Sequence, residues 1–355
     1  MPVQVNGEVL SLRRVGAYYA MTIVAPGVAE VAKPGQFVTI AVGGPDTGML
    51  MRRPFSIYQI RERGVYGGTV EIIFSIEGRG TSWLAARQAH EFVDIVGPLG
   101  RPFSLPREPA TCVLVGGGYG TAPLFPLADA LRARGCRVDF VIGAAKEERL
   151  FGALDAKRIS ATLTVTTDDG SVGHRGWVSD VLPDVLTSSK ADVVYACGPM
   201  AMLHSVSRIA ETAGVPCQIA VEELMACGIG VCMTCVLPVI GDDGQTRMVR
   251  SCVDGPVFHG DRVRFDDIGT IPADTVGAPL VPAKVSARAA ARTSAKAVPA
   301  ASAKGRGRSA ASTTRARAGE GAGGDAIQTE PASTEDPSEP TRTETAHTQS
   351  AEAHR

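Results

Sequence analysis

The chain has 355 residues, 44% of them hydrophobic, and a formal net charge of −1 at pH 7. That length accommodates about two domains with additions, and the apolar share is ample for packed cores. No apolar run approaches the roughly 20 residues that span a bilayer. The opening Met1-Pro2-Val3-Gln4-Val5-Asn6-Gly7-Glu8 has neither a basic nor an apolar signal region, so a cytoplasmic protein with reduced thiols is expected.

Residues 1–104 read as an antiparallel β domain, a small barrel or sandwich. Short apolar alternations include Phe37-Val38-Thr39-Ile40-Ala41-Val42 and Val70-Glu71-Ile72-Ile73-Phe74-Ser75-Ile76. Turns such as Lys33-Pro34-Gly35 and Gly43-Gly44-Pro45-Asp46 punctuate them. One helix is expected over 81–87. Arg53-Pro54-Phe55-Ser56 offers a cation for phosphate, an aromatic face and a hydroxyl; by itself the tetrapeptide is also an ordinary turn. Gly78-Arg79-Gly80-Thr81 opens the helix and offers a second anion site. Two such sites in one small β domain fit a dinucleotide such as FAD.

From Thr111 strands alternate with helices, the pattern of a parallel α/β sheet, and this domain is bounded at 105–216. Strands are expected over 112–115, 138–142, 163–166 and 193–196. Helices are expected over 121–134, 147–155, 178–186 and 200–213. The first strand runs into Gly116-Gly117-Gly118-Tyr119-Gly120. A glycine-rich turn that opens a helix exposes backbone N–H groups to a pyrophosphate. The spacing departs from G-x-G-x-x-G and places no acid on a ribose, so a tight structural turn competes with that reading. The last strand ends in Cys197-Gly198-Pro199-Met200. Cys197 is either a buried thiol at a strand end or a group at a reacting face. Cys112, Cys136 and Cys217 lie in or beside apolar stretches and read as buried free thiols.

Residues 217–270 carry the most specific signal. Cys227, Cys232, Cys235 and Cys252 are spaced C-x4-C-x2-C-x16-C, the plant-type ligand pattern of a [2Fe–2S] cluster. Gly228 and Gly230 let the backbone wrap closely around a small inorganic core. Zinc on the same four ligands is the alternative. Residues 271–355 are rich in Ala, Ser, Thr, Pro and Gly. Their charges are basic between Val281 and Ala318 and mostly acidic from Glu320 onward. With so little apolar surface to bury, this tail is expected to be disordered, solvated rather than a nucleic-acid arm.

Arg53-Pro54-Phe55-Ser56, Gly78-Arg79-Gly80-Thr81, the run from Gly116 to Pro123, Cys197-Gly198-Pro199-Met200 and the cysteine loop together resemble the ferredoxin–NADP reductase superfamily. More narrowly, the run from Glu222 to Cys232, closed by Ser251-Cys252-Val253-Asp254-Gly255-Pro256-Val257-Phe258, is similar to the electron-transfer subunits of class 1B dihydroorotate dehydrogenase. The resemblance covers roughly residues 3–270. It implies FAD on Arg53, Pro54, Phe55 and Ser56, with Arg53 at the pyrophosphate, Phe55 against the isoalloxazine and Ser56 near N5. Ile73, Phe74 and Ser75 would line the cofactor, and Gly80 and Thr81 would meet its phosphates. Phe55 stands where the family pattern has Tyr, which keeps a stacking face and loses a hydroxyl.

The resemblance also implies NADH against Gly117, Gly118, Gly120 and Thr121, with Cys197, Gly198, Pro199 and Met200 closing over the nicotinamide. Electrons would pass between NAD(H), FAD and a [2Fe–2S] cluster on the four cysteines. Their partner would be a separate FMN-containing subunit that interconverts dihydroorotate and orotate in pyrimidine synthesis, in a heterotetramer of two of each. Small subunits of ferredoxin-dependent NADPH transhydrogenases or sulfide dehydrogenases share the domain order and are the alternative within the superfamily. A zinc-stapled nucleotide-binding module without redox activity is the alternative outside it. Lys146 and Arg149 would attract the 2′-phosphate of NADPH and Glu147 and Glu148 would repel it; the resemblance favours NADH.

Overall fold

Six antiparallel strands close a barrel in the computed structural model, which describes residues 1–44, 47–61 and 67–278. Pro45 and Asp46 of the expected turn, and the tail from residue 279, lie outside the described residues. The barrel strands are β1 (Val3–Val15), β2 (Tyr18–Val24), β3 (Phe37–Ile40), β4 (Arg53–Arg61), β5 (Thr69–Phe74) and β6 (Phe92–Leu99), in the order β1-β2-β5-β4-β3-β6. Helix α1 (Arg79–Ala85) lies between β5 and β6. Strand side chains alternate between the two faces. In β5 the alternation feeds two cores, because Val70, Ile72 and Phe74 fill the barrel while Ile73 faces out. Ile73, Tyr18 and Tyr58 form an apolar outer face that packs on Phe125 and Phe151 of the following domain.

That domain is a seven-stranded sheet, built from β7 (Thr111–Gly117), α2 (Leu124–Ala133), β8 (Arg137–Ala144), α3 (Ala153–Ile159), β9 (Thr162–Thr167), β10 (His174–Arg175), α4 (Val178–Ser189), β11 (Val193–Cys197), α5 (Met200–Thr212) and β12 (Cys217–Ala220). A hairpin of β13 (Val236–Ile240) and β14 (Thr246–Arg250) follows, then the short helix α6 (Ser251–Asp254) and β15 (Val257–His259). The sheet order is β10-β9-β8-β7-β11-β12-β15, parallel except for β15, which runs antiparallel to β12. The chain runs from β7 outward through β8, β9 and β10 and then returns to β11 on the other side of β7, so a crevice opens at the carboxyl ends of β7 and β11, where open α/β sheets bind ligands.

The strand Cys217–Ala220, expected to open the cysteine region, pairs in the same sheet as the preceding strands. Two helix expectations shift. The helix expected over 147–155 is a single 3-10 turn at Glu147–Arg149 followed by α3, because Gly152 between them adopts φ 71°. The helix expected from 121 begins at Leu124, after a 3-10 turn at Gly118–Thr121. Pro126 falls in the first turn of α2, where an absent N–H costs no helix bond. Among the described residues, no helix is long and apolar enough to cross a membrane.

The segment joining barrel to sheet is clamped by side chains. Gln218 accepts from Ser104 N–H at 2.8 Å and donates to Ser104 O at 2.9 Å, and the fully buried Tyr195 donates its hydroxyl to the same oxygen at 2.9 Å. Gln218→Ala orphans the Ser104 N–H and should cost about 1–3 kcal/mol, whereas Tyr195→Phe leaves that oxygen a second donor and should cost about 1 kcal/mol. Chemical denaturation of the two variants checks the order.

Candidate functional site

A cavity of about 330 Å³ lies where the barrel meets the sheet. Arg53, Pro54, Phe55 and Ser56 of β4, Ile73 and Phe74 of β5, Ser75 and Thr81 line one side. Tyr119, Gly120, Cys197 and Glu222 line the other. β4 brings its tetrapeptide here because β3 pairs with it in register, Phe37 opposite Ser56 and Ile40 opposite Arg53. Ser56 is the exposed member. Phe55 is 92% buried in the barrel core and packs on Phe74 with ring centroids 5.7 Å apart, so it presents little surface to the cavity. Gly80 lies behind the lining: a Cβ there would sit 3.0 Å from Arg53 Nε, so the glycine makes room for the guanidinium. The Thr81 hydroxyl is engaged in the turn, accepting from the N–H groups of Glu77 at 2.9 Å and Gly78 at 3.1 Å. Arg53, several hydroxyls and an apolar floor, with the carboxylates Glu77, Glu222 and Glu223 at the rim, give a cavity with one cationic point and a flat apolar surface, the build that FAD's ring and pyrophosphate require.

A second cavity of about 590 Å³ opens at the carboxyl ends of β7, β8 and β9. Gly117, Gly118 and Pro199 line it, together with Ala144, Arg149, Asp168, Trp177 and Met202. The loop is tight. A Cβ on Gly120 would lie 2.7 Å from Gly198 Cα, so the two glycine turns meet backbone to backbone. Thr121 is buried and donates to Gly118 O at 2.9 Å, bracing the loop from beneath. Gly198 also backs the loop, and Met200 packs into the core between sheet and helices, leaving Met202 at the cavity.

Sequence reasoning passed over the pair at the junction. Tyr119 and Glu222 line both cavities, and the Tyr119 hydroxyl donates to Glu222 Oε1 at 2.7 Å. Glu222 is open to solvent along the cleft, yet enough protein surrounds its carboxyl that desolvation raises it above the ordinary carboxylate range, the Tyr119 bond offsetting part of that. Burial likewise pushes the Cys197 thiol up, so at neutral pH it is a protonated thiol. Glu222 opens the cysteine-loop motif, and its two-sided role needed the fold to become visible.

The four cysteines come together in the loop after β12 and in α6. Cys235 and Cys252 are buried against Phe37 and Leu99 of the barrel, with Met225 packed beside them. Cys227 is half-buried and Cys232 exposed. Hydrogen bonds from Thr234 and the neighbouring Cys227 hold the Cys232 thiol down at about 6, and burial beside Cys235 pushes Cys252 up to about 12. Among the described residues no three His, Cys, Asp or Glu side chains converge as they would around one ion. Cys232 lies beside Cys227, and Cys252 beside Cys235, in the C-x4-C-x2-C-x16-C order of a [2Fe–2S] ligand set. Two buried hydroxyls beside the cage, Ser251 and Thr39, have no partner among the described residues and can donate to an acceptor-rich group such as a sulfide cluster. The other four cysteines are buried and free.

This fold and site define a flavin- and nicotinamide-linked electron-transfer protein of the ferredoxin–NADP reductase type, with a [2Fe–2S] domain appended. Residues 222–264 match the iron–sulfur cluster binding domain of dihydroorotate dehydrogenase B. The electron transfer subunit of dihydroorotate dehydrogenase B (NAD(+)) from Geobacillus thermodenitrificans (strain NG80-2) is 39% identical over 247 residues, 69% of this chain and 92% of the relative. The same subunit from Desulforamulus reducens is 34% identical over 241 residues, 68% of this chain and 90% of the relative. The chain belongs to this family, that of the electron-transfer subunits of dihydroorotate dehydrogenase B. Among solved structures, an NADH-dependent reduced ferredoxin–NADP oxidoreductase superposes with TM-score 0.64 and 30% identity over 74% of this chain and 91% of its own.

Cys232→Ser should remove the iron–sulfur absorbance and leave flavin bound, because the exposed Cys232 contributes to the cage and nothing to the flavin cavity. Visible spectra and flavin extraction from the purified variant check both halves.

Proposed function

We propose that this chain carries electrons between NAD(H) and an FMN-containing subunit that interconverts dihydroorotate and orotate, in a complex of two copies of each. In pyrimidine synthesis the current would run from dihydroorotate toward NAD+. The observation that carries this reading is a shared wall: Phe37 and Met225 line the flavin cavity and also pack on Cys235 and Cys252. When bound, FAD exchanges two electrons at a time with the nicotinamide and single electrons with a [2Fe–2S] centre.

The chain's own residues bind, orient and exclude. Arg53 is the flavin cavity's cation and meets the cofactor's pyrophosphate. Ser56, exposed on β4, offers its hydroxyl to the ring edge. Gly117 and Gly118 leave the phosphate loop open to the nucleotide, Thr121 and Gly198 brace it from behind, and Met200 at the start of α5 supports the turn that would close over the nicotinamide. Gly120, touching Gly198, keeps the partition between the cavities thin, and Cys197 faces the flavin side as an uncharged thiol.

The outer pair of cysteines points to where the partner docks. Leu224, Ile229, Val231 and Met233 are all more than half exposed around Cys232, an apolar rim of the kind that marks an interface. Val231→Glu should weaken assembly with the FMN subunit by about tenfold or more without changing NADH-driven bleaching of the flavin. Analytical ultracentrifugation and anaerobic spectra separate the two effects.

The decisive assay is anaerobic NADH-dependent orotate reduction by this chain mixed with the FMN dehydrogenase of the same genome, with each component also tested alone. The expected result is reduction by the pair and by neither alone. Bleaching without orotate reduction would retain the relay and assign it another acceptor.

A further inference from the structure

The barrel turns one strand toward the cysteine loop. Along β3, Val38 and Ile40 fill the barrel core, so alternation sends Phe37 and Thr39 to the outer face. There Phe37 packs on Cys235 and Cys252. Thr39 meets the loop between the first two cysteines: a Cβ on Gly228 would lie 2.5 Å from Thr39 Cγ2 and 3.5 Å from Phe37 Cε2. Thr39 is fully buried, and its hydroxyl has no partner among the described residues. Ser251, next to Cys252 in α6, is buried to the same degree and its hydroxyl is likewise unpartnered. The Ser251 N–H is already committed to Cys235 O at 2.9 Å. As the first residue of α6, Ser251 has no preceding helical turn whose carbonyl could accept its hydroxyl.

The side chains gathered at this wall offer carbon and sulfur. Phe37, Leu99, Val96 and Met225 pack around Cys235 and Cys252, and none of them carries an oxygen or nitrogen acceptor. A buried hydroxyl without a partner destabilises a fold, so two of them bordering one site call for an acceptor there. The cage already draws on donors of this kind. Thr234 reaches Cys232 through its hydroxyl and its N–H, and the Gly230 N–H reaches Cys252. A neutral thiol is a weak acceptor, whereas the thiolates and sulfides of an iron–sulfur cluster carry negative charge and accept strongly. Reduction adds one more negative charge to such a cluster, and the apolar wall of Phe37 and Leu99 does nothing to stabilise it.

We infer that the Thr39 and Ser251 hydroxyls donate hydrogen bonds to the sulfurs of the bound [2Fe–2S] cluster and hold its reduction potential up. Hydrogen bonds to the sulfurs are among the features that set such potentials, because they favour the more negative, reduced state. The inference rests on reading the four cysteines as the cluster site. It makes Thr39, a barrel residue, part of the cluster's surroundings, so the domain that lines the flavin cavity also tunes the iron–sulfur centre.

An anaerobic redox titration of the cofactor-loaded full chain, followed by electron paramagnetic resonance of the reduced cluster, reads the potential apart from turnover. Thr39→Val keeps the shape of the side chain and removes the hydroxyl, whereas Thr39→Ser removes the methyl that meets Gly228 and keeps the hydroxyl. Thr39→Val and Ser251→Ala should each disfavour the reduced cluster by about tenfold, a drop of ~59 mV for a one-electron couple. Thr39→Ser should stay close to the wild type. The two hydroxyls lie on separate segments, so either one decides if the variant at the other loses its cluster. An unchanged potential in every hydroxyl-free variant that retains its cluster would overturn the inference and leave the cluster site standing. A Thr39→Ser shift as large as that of Thr39→Val would also overturn it, by making packing the cause. Absence of a reduced-cluster signal from the wild type would overturn the cysteine site and the inference together.

Discussion

The relay depends on how closely the cysteine loop can press against the barrel. At Gly228 the backbone has φ +72°, and a Cβ there would lie 2.5 Å from Thr39 Cγ2. Only a glycine accepts both that angle and that approach. The contact seats Cys235 and Cys252 against Phe37 and Leu99, on the wall that the flavin cavity also uses. A side chain at 228 would hold the loop off the barrel and lengthen the path between the two redox sites, whatever the quality of either site alone.

The loop is also anchored from its far end. Arg101 N–H donates to Gly255 O at 2.5 Å and Val221 N–H to Pro256 O at 2.9 Å, while β15 adds an antiparallel edge to β12. The cluster-bearing segment is thereby stitched to barrel and sheet at once. The cysteine region and the α/β sheet are therefore one continuous structure across residues 217–220. Cys217-Gln218-Ile219-Ala220 is a short strand with no helix after it, so the alternation that marks an α/β sheet has already ended. Membership in the sheet is decided by pairing with Tyr195 and Phe258 on either side, a long-range fact that local periodicity does not carry.

The same division between local and long-range signals runs through the site. The cysteine spacing, the glycine turn after β7 and the Arg53 tetrapeptide are contiguous motifs whose chemistry is written in neighbouring residues, and each lines a cavity or cage. Phe55 shows what the motif alone leaves open. Its identity offers an aromatic face, and its place on β4 puts it both in the cavity lining and against Phe74 in the barrel core. Met200 and Met202 both pack on the core beside α5, and Met202 also lines the larger cavity. Tyr119, Glu222, Asp168 and Trp177 come from four separate segments, and convergence of that kind appears only once the sheet order is known.

The wall of Phe37, Leu99 and Met225 also separates two kinds of traffic. Packed apolar side chains let an electron tunnel between sites a few residues apart, but they give a proton no hydrogen-bonded route. Any proton exchanged with the flavin must therefore move on the cavity side. There the side chains are matched to that need: Glu222 is raised above the ordinary carboxylate range, it is bonded to Tyr119, and both reach the open cleft. On the cage side the exposed Cys232 is held down instead, by Thr234 and Cys227, in the charge state a metal ligand requires. The fold thus keeps the groups able to exchange protons with a flavin on the cavity side of a thin apolar wall, and the buried cysteines Cys235 and Cys252 on its other side.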